Sequence, residues 1–319
     1  MAVESSNNPM HLPRRDFLAK TAIATIRAAA GPSSICALAA ESHEKPPRLP
    51  IVIFTKVYQS LNLSFEDSAL LTAEAGLNGV DSPVRHGGEI APEKVADDLP
   101  HYAEALRKQS LGIPLLTTAI LIPSSPHAEQ ILRTAKKIGV QFYRTGFVDR
   151  HSEQPLKGQI ADLRAKLKDL AAMNKEIGIG AIVQNHSPAG HAYLGGDLTE
   201  LIEILAEFDP NQIGAAFDIG HALKVHGERW REHFEKLKSH LKIAYVKDTN
   251  RQGAWVPFGQ GEIGKTGYFK LLREIGYDAP LCLHIEFDWS NKGKDKTKEA
   301  LLKALKESCA VLKSWLQEG

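Results

Sequence analysis

Ile213-Gly214-Ala215-Ala216-Phe217-Asp218-Ile219-Gly220-His221 begins as an apolar run and ends abruptly in an acid and a histidine. The apolar part has the length and composition of a buried strand. A core strand has no structural need for a carboxylate at its end. An unpaired buried charge is costly, so Asp218 is expected to be paired, hydrogen-bonded or on a metal.

Outward from this stretch, the same unit repeats. Apolar runs over 51–54, 79–85, 113–120, 140–145, 179–185, 213–219, 243–247 and 281–287 read as strands. Helical patterns fill 64–75, 92–109, 126–138, 159–177, 198–208, 230–240 and 268–275, and a last helix carries Leu301, Leu305, Cys309, Leu312 and Leu316 at helical spacing. Ser64 with Asp67, and Asp197 with Glu200, are helix-start signals, and Gly76 is a helix stop. Each helix is long enough for a crossover, so the strands are expected to pair in parallel. Eight such units predict an α/β fold, a single-domain (β/α)8 TIM barrel. A doubly wound open sheet would normally carry a glycine-rich phosphate loop after its first strand, and Phe54-Thr55-Lys56-Val57 has no glycine.

Composition excludes some partners. The 319 residues carry a net charge of +1, and no Lys/Arg stripe dominates. Nucleic acid and anionic membrane are therefore not suggested. No apolar run reaches the ~18–20 residues of a membrane span. Pro13-Arg14-Arg15-Asp16-Phe17-Leu18-Ala19-Lys20 resembles a twin-arginine export signal, and a weakly apolar stretch with Ala37-Leu38-Ala39 follows. Residues 1–40 are thus expected to be an export signal, 41–50 a proline-containing linker, and 51–319 the barrel. The expected location is periplasmic, or cytoplasmic if the signal does not function. Cys36, Cys282 and Cys309 give no disulfide framework, and the last two read as small core hydrophobes.

In a barrel of this kind the active site lies at the C-terminal strand ends. Those ends are Arg85-His86, Tyr143-Arg144, Gln184-Asn185-His186, Asp218-Ile219-Gly220-His221, Tyr245-Val246-Lys247-Asp248 and His284-Ile285-Glu286. Side chains alternate along a strand, so Tyr245 and Lys247, and His284 and Glu286, face the axis if Val246 and Ile285 face the helices. Glu286, Asp218 and Gln184 would then converge. Three oxygen ligands suit a divalent cation such as Mg²⁺ or Mn²⁺; the other reading is a hydrogen-bonded polar plug. Arg144 reads as a substrate-oxygen or phosphate binder, or as an ion pair with Asp149 or Asp218. Lys247 reads as a fixed cation for an enolate oxygen, or as the partner of Glu286 or Asp218. His284, one inward layer below Glu286, reads as orienting it or as reacting itself. His186 and His191 lie on the loop after the fifth strand. Trp255 and Phe258 read as sugar walls or as loop packing.

These strand ends resemble the xylose isomerase-like TIM-barrel superfamily of sugar isomerases and epimerases, which includes tagatose-type 3-epimerases and hydroxypyruvate isomerase. The resemblance spans roughly residues 50–290. Asp218-Ile219-Gly220-His221 is similar to the family's Asp-x-x-His, Tyr245-Val246-Lys247-Asp248 to its His-x-Lys-Asp, and Ile285-Glu286 to its last-strand Glu. Val256-Pro257-Phe258-Gly259-Gln260-Gly261-Glu262-Ile263 is similar to its loop before the seventh helix. The resemblance implies a metal held by Glu, Asp, His and Glu on strands five to eight, and two glutamates that shuttle a proton between adjacent carbons. Gln184 and Tyr245 stand at two of those four positions. With Gln184 neutral, Glu286 remains as a base, and His221, His186 or Lys247 must supply its partner. The expected activity is a sugar isomerase or epimerase taking a proton next to the carbonyl of a keto sugar, with His221 holding or protonating a hydroxyl. Elimination on an oxidised (3-keto) glycoside and a non-catalytic carbohydrate-binding barrel are the alternatives. A small-molecule carbohydrate is the expected partner, and a homo-oligomer is compatible with the chain.

Overall fold

The computed structural model describes residues 49–318. The expected export signal, Cys36 and the linker up to Arg48 lie outside the described residues. Eight strands, β1 (Ile51–Phe54), β2 (Gly79–Val84), β3 (Gly112–Thr118), β4 (Phe142–Arg144), β5 (Gly180–Gln184), β6 (Ile213–Asp218), β7 (Leu241–Val246) and β8 (Leu281–Leu283), pair in parallel in sequence order, and β8 closes on β1. The helices between and after them are α1 (Phe65–Glu74), α2 (Val95–Lys108), α3 (Ala128–Lys137), α4 (Leu156–Ile177), α5 (Leu198–Leu205), α6 (Ile219–His226), α7 (Trp230–Leu237), α8 (Tyr268–Glu274) and α9 (Lys298–Glu318). The expected (β/α)8 barrel is the observed one. Among the described residues no helix is long and apolar enough to cross a membrane.

Alternation sorts the strand residues into two cores. Val52, Phe54, Leu115, Ile182, Ala216, Ile243, Tyr245 and Cys282 fill the barrel interior. Their neighbours Ile51, Ile53, Leu116, Ala215, Phe217, Ala244, Val246, Leu281 and Leu283 face the helix layer. There Phe217 packs against Phe234 of α7 at 5.1 Å and Tyr268 of α8 at 5.6 Å. Ser64 caps α1 by accepting from the Asp67 amide, and Asp197 caps α5 by accepting from the Thr199 amide.

Two of the differences from the expected boundaries bear on the site. β8 ends at Leu283, not at 287; His284 still donates its amide to the Val246 carbonyl of β7 at 2.9 Å, and Glu286 lies beyond the paired strand. A short helix, α6, begins directly after Asp218, where the pattern suggested the strand's last residue and a loop. Asp218 stops the strand because its side chain accepts from the His221 amide and becomes the helix N-cap.

On the loop after β2, the half-buried Glu89 accepts from Thr55 Oγ1 at 2.5 Å and Ser82 Oγ at 2.9 Å. Burial pushes its carboxyl from 4.5 to about 7, against those hydrogen bonds. Between these values the folded chain keeps a proton that the unfolded chain has lost. Stability therefore falls as pH rises through that window, and the loss is complete above about 7. Glu89→Gln is expected to match the parent below pH 4.5 and to exceed it by ~3 kcal/mol above pH 7, as read from urea midpoints at the two pH values.

Candidate active site

Asp218 ends β6 and starts α6, and every polar atom it has is used. Its amide donates to Asn185 Oδ1 at 2.7 Å, and its carbonyl accepts from Asn185 Nδ2 at 2.9 Å. Oδ1 accepts the His221 amide at 3.1 Å. Oδ2 accepts Gln184 Nε2 at 3.0 Å and sits 3.1 Å from the Lys247 ammonium. Burial pushes this carboxyl up; the ammonium and the hydrogen-bond donors oppose that.

Lys247 links the acid to the histidine. Its Nζ lies 2.8 Å from His221 Nε2, and His221 Nδ1 lies 2.8 Å from Ser187 Oγ. An ammonium can only donate, so Nε2 accepts and the ring proton sits on Nδ1. Burial, with the ammonium second, holds His221 well below its ordinary value and keeps it neutral. Both ring nitrogens are thereby engaged, so His221 orients Lys247. Gly220 permits this approach: a Cβ there would stand 2.8 Å from Lys247 Cγ and 3.0 Å from the Trp255 ring.

Aromatic rings wall the mouth. Half-buried Trp255 meets His221 edge-on at 5.1 Å, with Lys247 Nζ 5.0 Å and Lys224 Nζ 4.1 Å from its ring centre. His186 lies against His221 at 3.8 Å. Phe147 stacks on Tyr193 at 4.5 Å, and His186 meets both edge-on. Neither Phe147 nor Tyr193 stood out in the sequence, because each follows a strand end within an ordinary loop. Burial, with Lys247 second, lowers His186 to about 4. Its Nδ1 donates to the Ser187 carbonyl at 2.7 Å, which leaves Nε2 as a bare lone pair.

The other expected residues are placed as follows. Arg144 is buried, lies over the Phe147 ring at 4.4 Å and makes no ion pair; Asp149 pairs with His191 at 3.1 Å instead. Arg144 Nη1 has no hydrogen-bond partner among the described residues. Glu286 is half-buried beyond β8, with neither ion pair nor hydrogen bond among the described residues. Tyr245 is fully buried below the mouth and donates to Asp81 Oδ2 at 3.1 Å. His284 lies beside Tyr245, with ring centres 4.5 Å apart. Phe258 turns away from the mouth and stacks on Trp315 of α9 at 5.7 Å, because its buried side chain packs the loop onto that helix. Asp81 was missed; its signal was an acid in the middle of the buried strand β2.

The Asp218, Gln184 and Glu286 set does not fit a divalent cation as arranged. Both Asp218 oxygens are occupied by donors, and Gln184 presents its N–H₂ to Oδ2 rather than an oxygen to a shared centre. The Lys247 ammonium already provides the cation beside Oδ2.

Asp248 secures the loop that carries Trp255. Its Oδ2 accepts the Gly259 and Gly261 amides, both at 2.9 Å, and its Oδ1 accepts the Thr249 amide at 2.9 Å and the Ile263 amide at 3.2 Å. Asp248→Ala strands four amides. It is expected to cost about 3 kcal/mol in urea unfolding and to raise KM more than it lowers kcat, because the Trp255 wall loosens.

No curated protein sequence matches the chain. Several solved structures share its fold. A D-psicose 3-epimerase with D-tagatose from Clostridium cellulolyticum H10 superposes with a TM-score of 0.61 at 12% identity, over 80% of this chain and 94% of that one. A xylose isomerase-like TIM barrel protein from Mycobacterium smegmatis in complex with magnesium gives 0.61 at 14%, over 84% and 98%. The 3-keto-D-glucoside 4-epimerase YcjR from E. coli gives 0.56 at 13%, over 75% and 93%. At such identities the likeness is one of fold. The sequence itself matches the family model for the xylose isomerase-like TIM barrel over residues 70–315. With the closed barrel and its polar strand ends, that match makes this chain a member of the xylose isomerase-like TIM barrel family.

Proposed function

We propose that the chain is a sugar isomerase or epimerase-like enzyme that removes a proton next to the carbonyl of a keto sugar, with Lys247 as the fixed cation at Asp218. The observation that carries this is the buried ammonium, 3.1 Å from Asp218 Oδ2 and 2.8 Å from His221 Nε2. A charge held this firmly, in a site walled from water, needs no reorganisation when negative charge develops on an enediolate oxygen. Arg144 Nη1, buried and without a partner, is a second donor for substrate oxygens. Glu286 is the base, a half-buried carboxylate beyond the end of β8 with no ion pair or hydrogen bond among the described residues. His186 is the second base, since its Nε2 lone pair is free and the imidazole is neutral at pH 7. Half-buried Trp255 and Tyr193 are aromatic walls for the apolar C–H side of a sugar. The family and the fold it shares with the two epimerases support a carbohydrate substrate. The twin-arginine segment supports a periplasmic location.

Elimination on a 3-keto glycoside uses the same first step, with a leaving group on the neighbouring carbon.

Deuterium uptake from D₂O into keto sugars and 3-keto glycosides, followed by NMR, tests the proposal. Exchange is expected to proceed equally with chelator present and with Mn²⁺ or Mg²⁺ added. Exchange that appears only with added Mn²⁺ or Mg²⁺ would remove Lys247 from the cation's role. No exchange into any sugar would leave a carbohydrate-binding barrel, and release of the aglycone would mark the elimination.

A further inference from the structure

We infer that Asp81, Cys282 and His284 form a binding site for one thiophilic divalent cation, of the Zn²⁺ class, inside the barrel beneath the mouth. None of the three takes part in the chemistry proposed above, and the inference does not rest on it. The residues come from β2 and from β8 and its extension, the two strands that flank β1. Their ligating atoms all lie within 4.8 Å of one another. All three side chains are buried, with exposures of 0%, 0% and 4%.

Hydrogen bonding at Asp81 is one-sided. Thr117 Oγ1 at 3.0 Å, Tyr245 OH at 3.1 Å and the Cys282 thiol at 3.8 Å all point to Oδ2. Oδ1 is buried and, among the described residues, has no partner; the same holds for both ring nitrogens of His284. Buried polar atoms without partners are costly, and here they cluster with a thiol. The His284 ring is also held in place, between Phe54 at 4.8 Å and Tyr245 at 4.5 Å. A cation bound by Oδ1, Sγ and one His284 nitrogen takes up the orphaned acceptors and replaces the weak thiol contact, while the Thr117 and Tyr245 bonds to Oδ2 remain.

The donor set selects the ion. Sulfur, imidazole nitrogen and one carboxylate oxygen suit Zn²⁺ and disfavour Mg²⁺, which takes oxygen ligands. Binding forms a metal–sulfur bond and releases the thiol proton to solvent, so a thiolate and a carboxylate together match the ion's two positive charges. A neutral His284 ligates through one ring nitrogen. Three protein ligands leave a fourth position for water. The ion would tie β2 to β8 across β1, where the barrel closes.

The test reads metal in the full chain. Protein grown with added zinc is expected to carry about one equivalent by elemental analysis. The cobalt form is expected to show a thiolate-to-metal charge-transfer band in the near ultraviolet, which added Zn²⁺ abolishes. Cys282→Ser should lose the band, and Cys282→Ser and His284→Gln should each lose at least tenfold in affinity, while Asp218→Asn and Glu286→Gln keep band and affinity. A chain without stoichiometric zinc, or a cobalt form without the thiolate band, overturns the site without recourse to any variant. So does a Cys282→Ser protein that keeps its full zinc, or an Asp218→Asn protein that loses it.

Discussion

Lys247→Met is expected to abolish deuterium exchange and to destabilise the chain by about 3–5 kcal/mol, because it leaves the fully buried Asp218 carboxylate without its cation. The stem of Met matches the lysine's volume, so the loss reports charge and not a cavity. A double variant, Asp218→Asn with Lys247→Met, separates the two effects. It removes both charges of the pair and is expected to recover most of the stability in urea unfolding, because no buried charge is left unpaired. Exchange is expected to stay absent, since the fixed cation for the enediolate oxygen is gone. A double variant that exchanges deuterium at the parent rate would show that Lys247 is only structural.

Glu286→Gln is expected to lower kcat by about 10²–10⁴-fold, the usual contribution of a general base, with KM little changed. Glu286 is half-buried and makes no ion pair or hydrogen bond among the described residues, so its replacement should leave the urea midpoint near the parent's. That contrast with Lys247 is the useful part: one variant loses rate and stability together, the other rate alone. Full turnover in Glu286→Gln, measured by loss of substrate deuterium or hydrogen at the carbon next to the carbonyl, removes it as the base and passes the role to His186.

The architecture was legible because the signals for it are local. A run such as Ile51–Phe54, apolar on both faces and too short for a helix, reads as a strand covered on both sides. Repeated eight times with helices between, such runs close a barrel. The location of the site followed as well, since acids and histidines at the ends of Ile213–Asp218 and Leu241–Val246 have no role in packing. The helix α6 was not legible. It is eight residues long, contains Gly220, and exists because the Asp218 side chain bonds an amide three residues on.

What the sequence alone determined is therefore the barrel, the end of it that carries chemistry, and most of the side chains gathered there. Only the tertiary structure decided how those side chains pair. It placed Lys247 between Asp218 and His221, turned Phe258 toward α9, and brought Asp81 to Tyr245 and Cys282, 164 and 201 residues away. The reason is physical. Apolar period depends on each residue and its near neighbours, whereas pairing across a barrel depends on strand register. A shift of one residue in the β6–β7 ladder, where Asp218 lies beside Tyr245, would have turned Lys247 to the helices and left the acid without its cation.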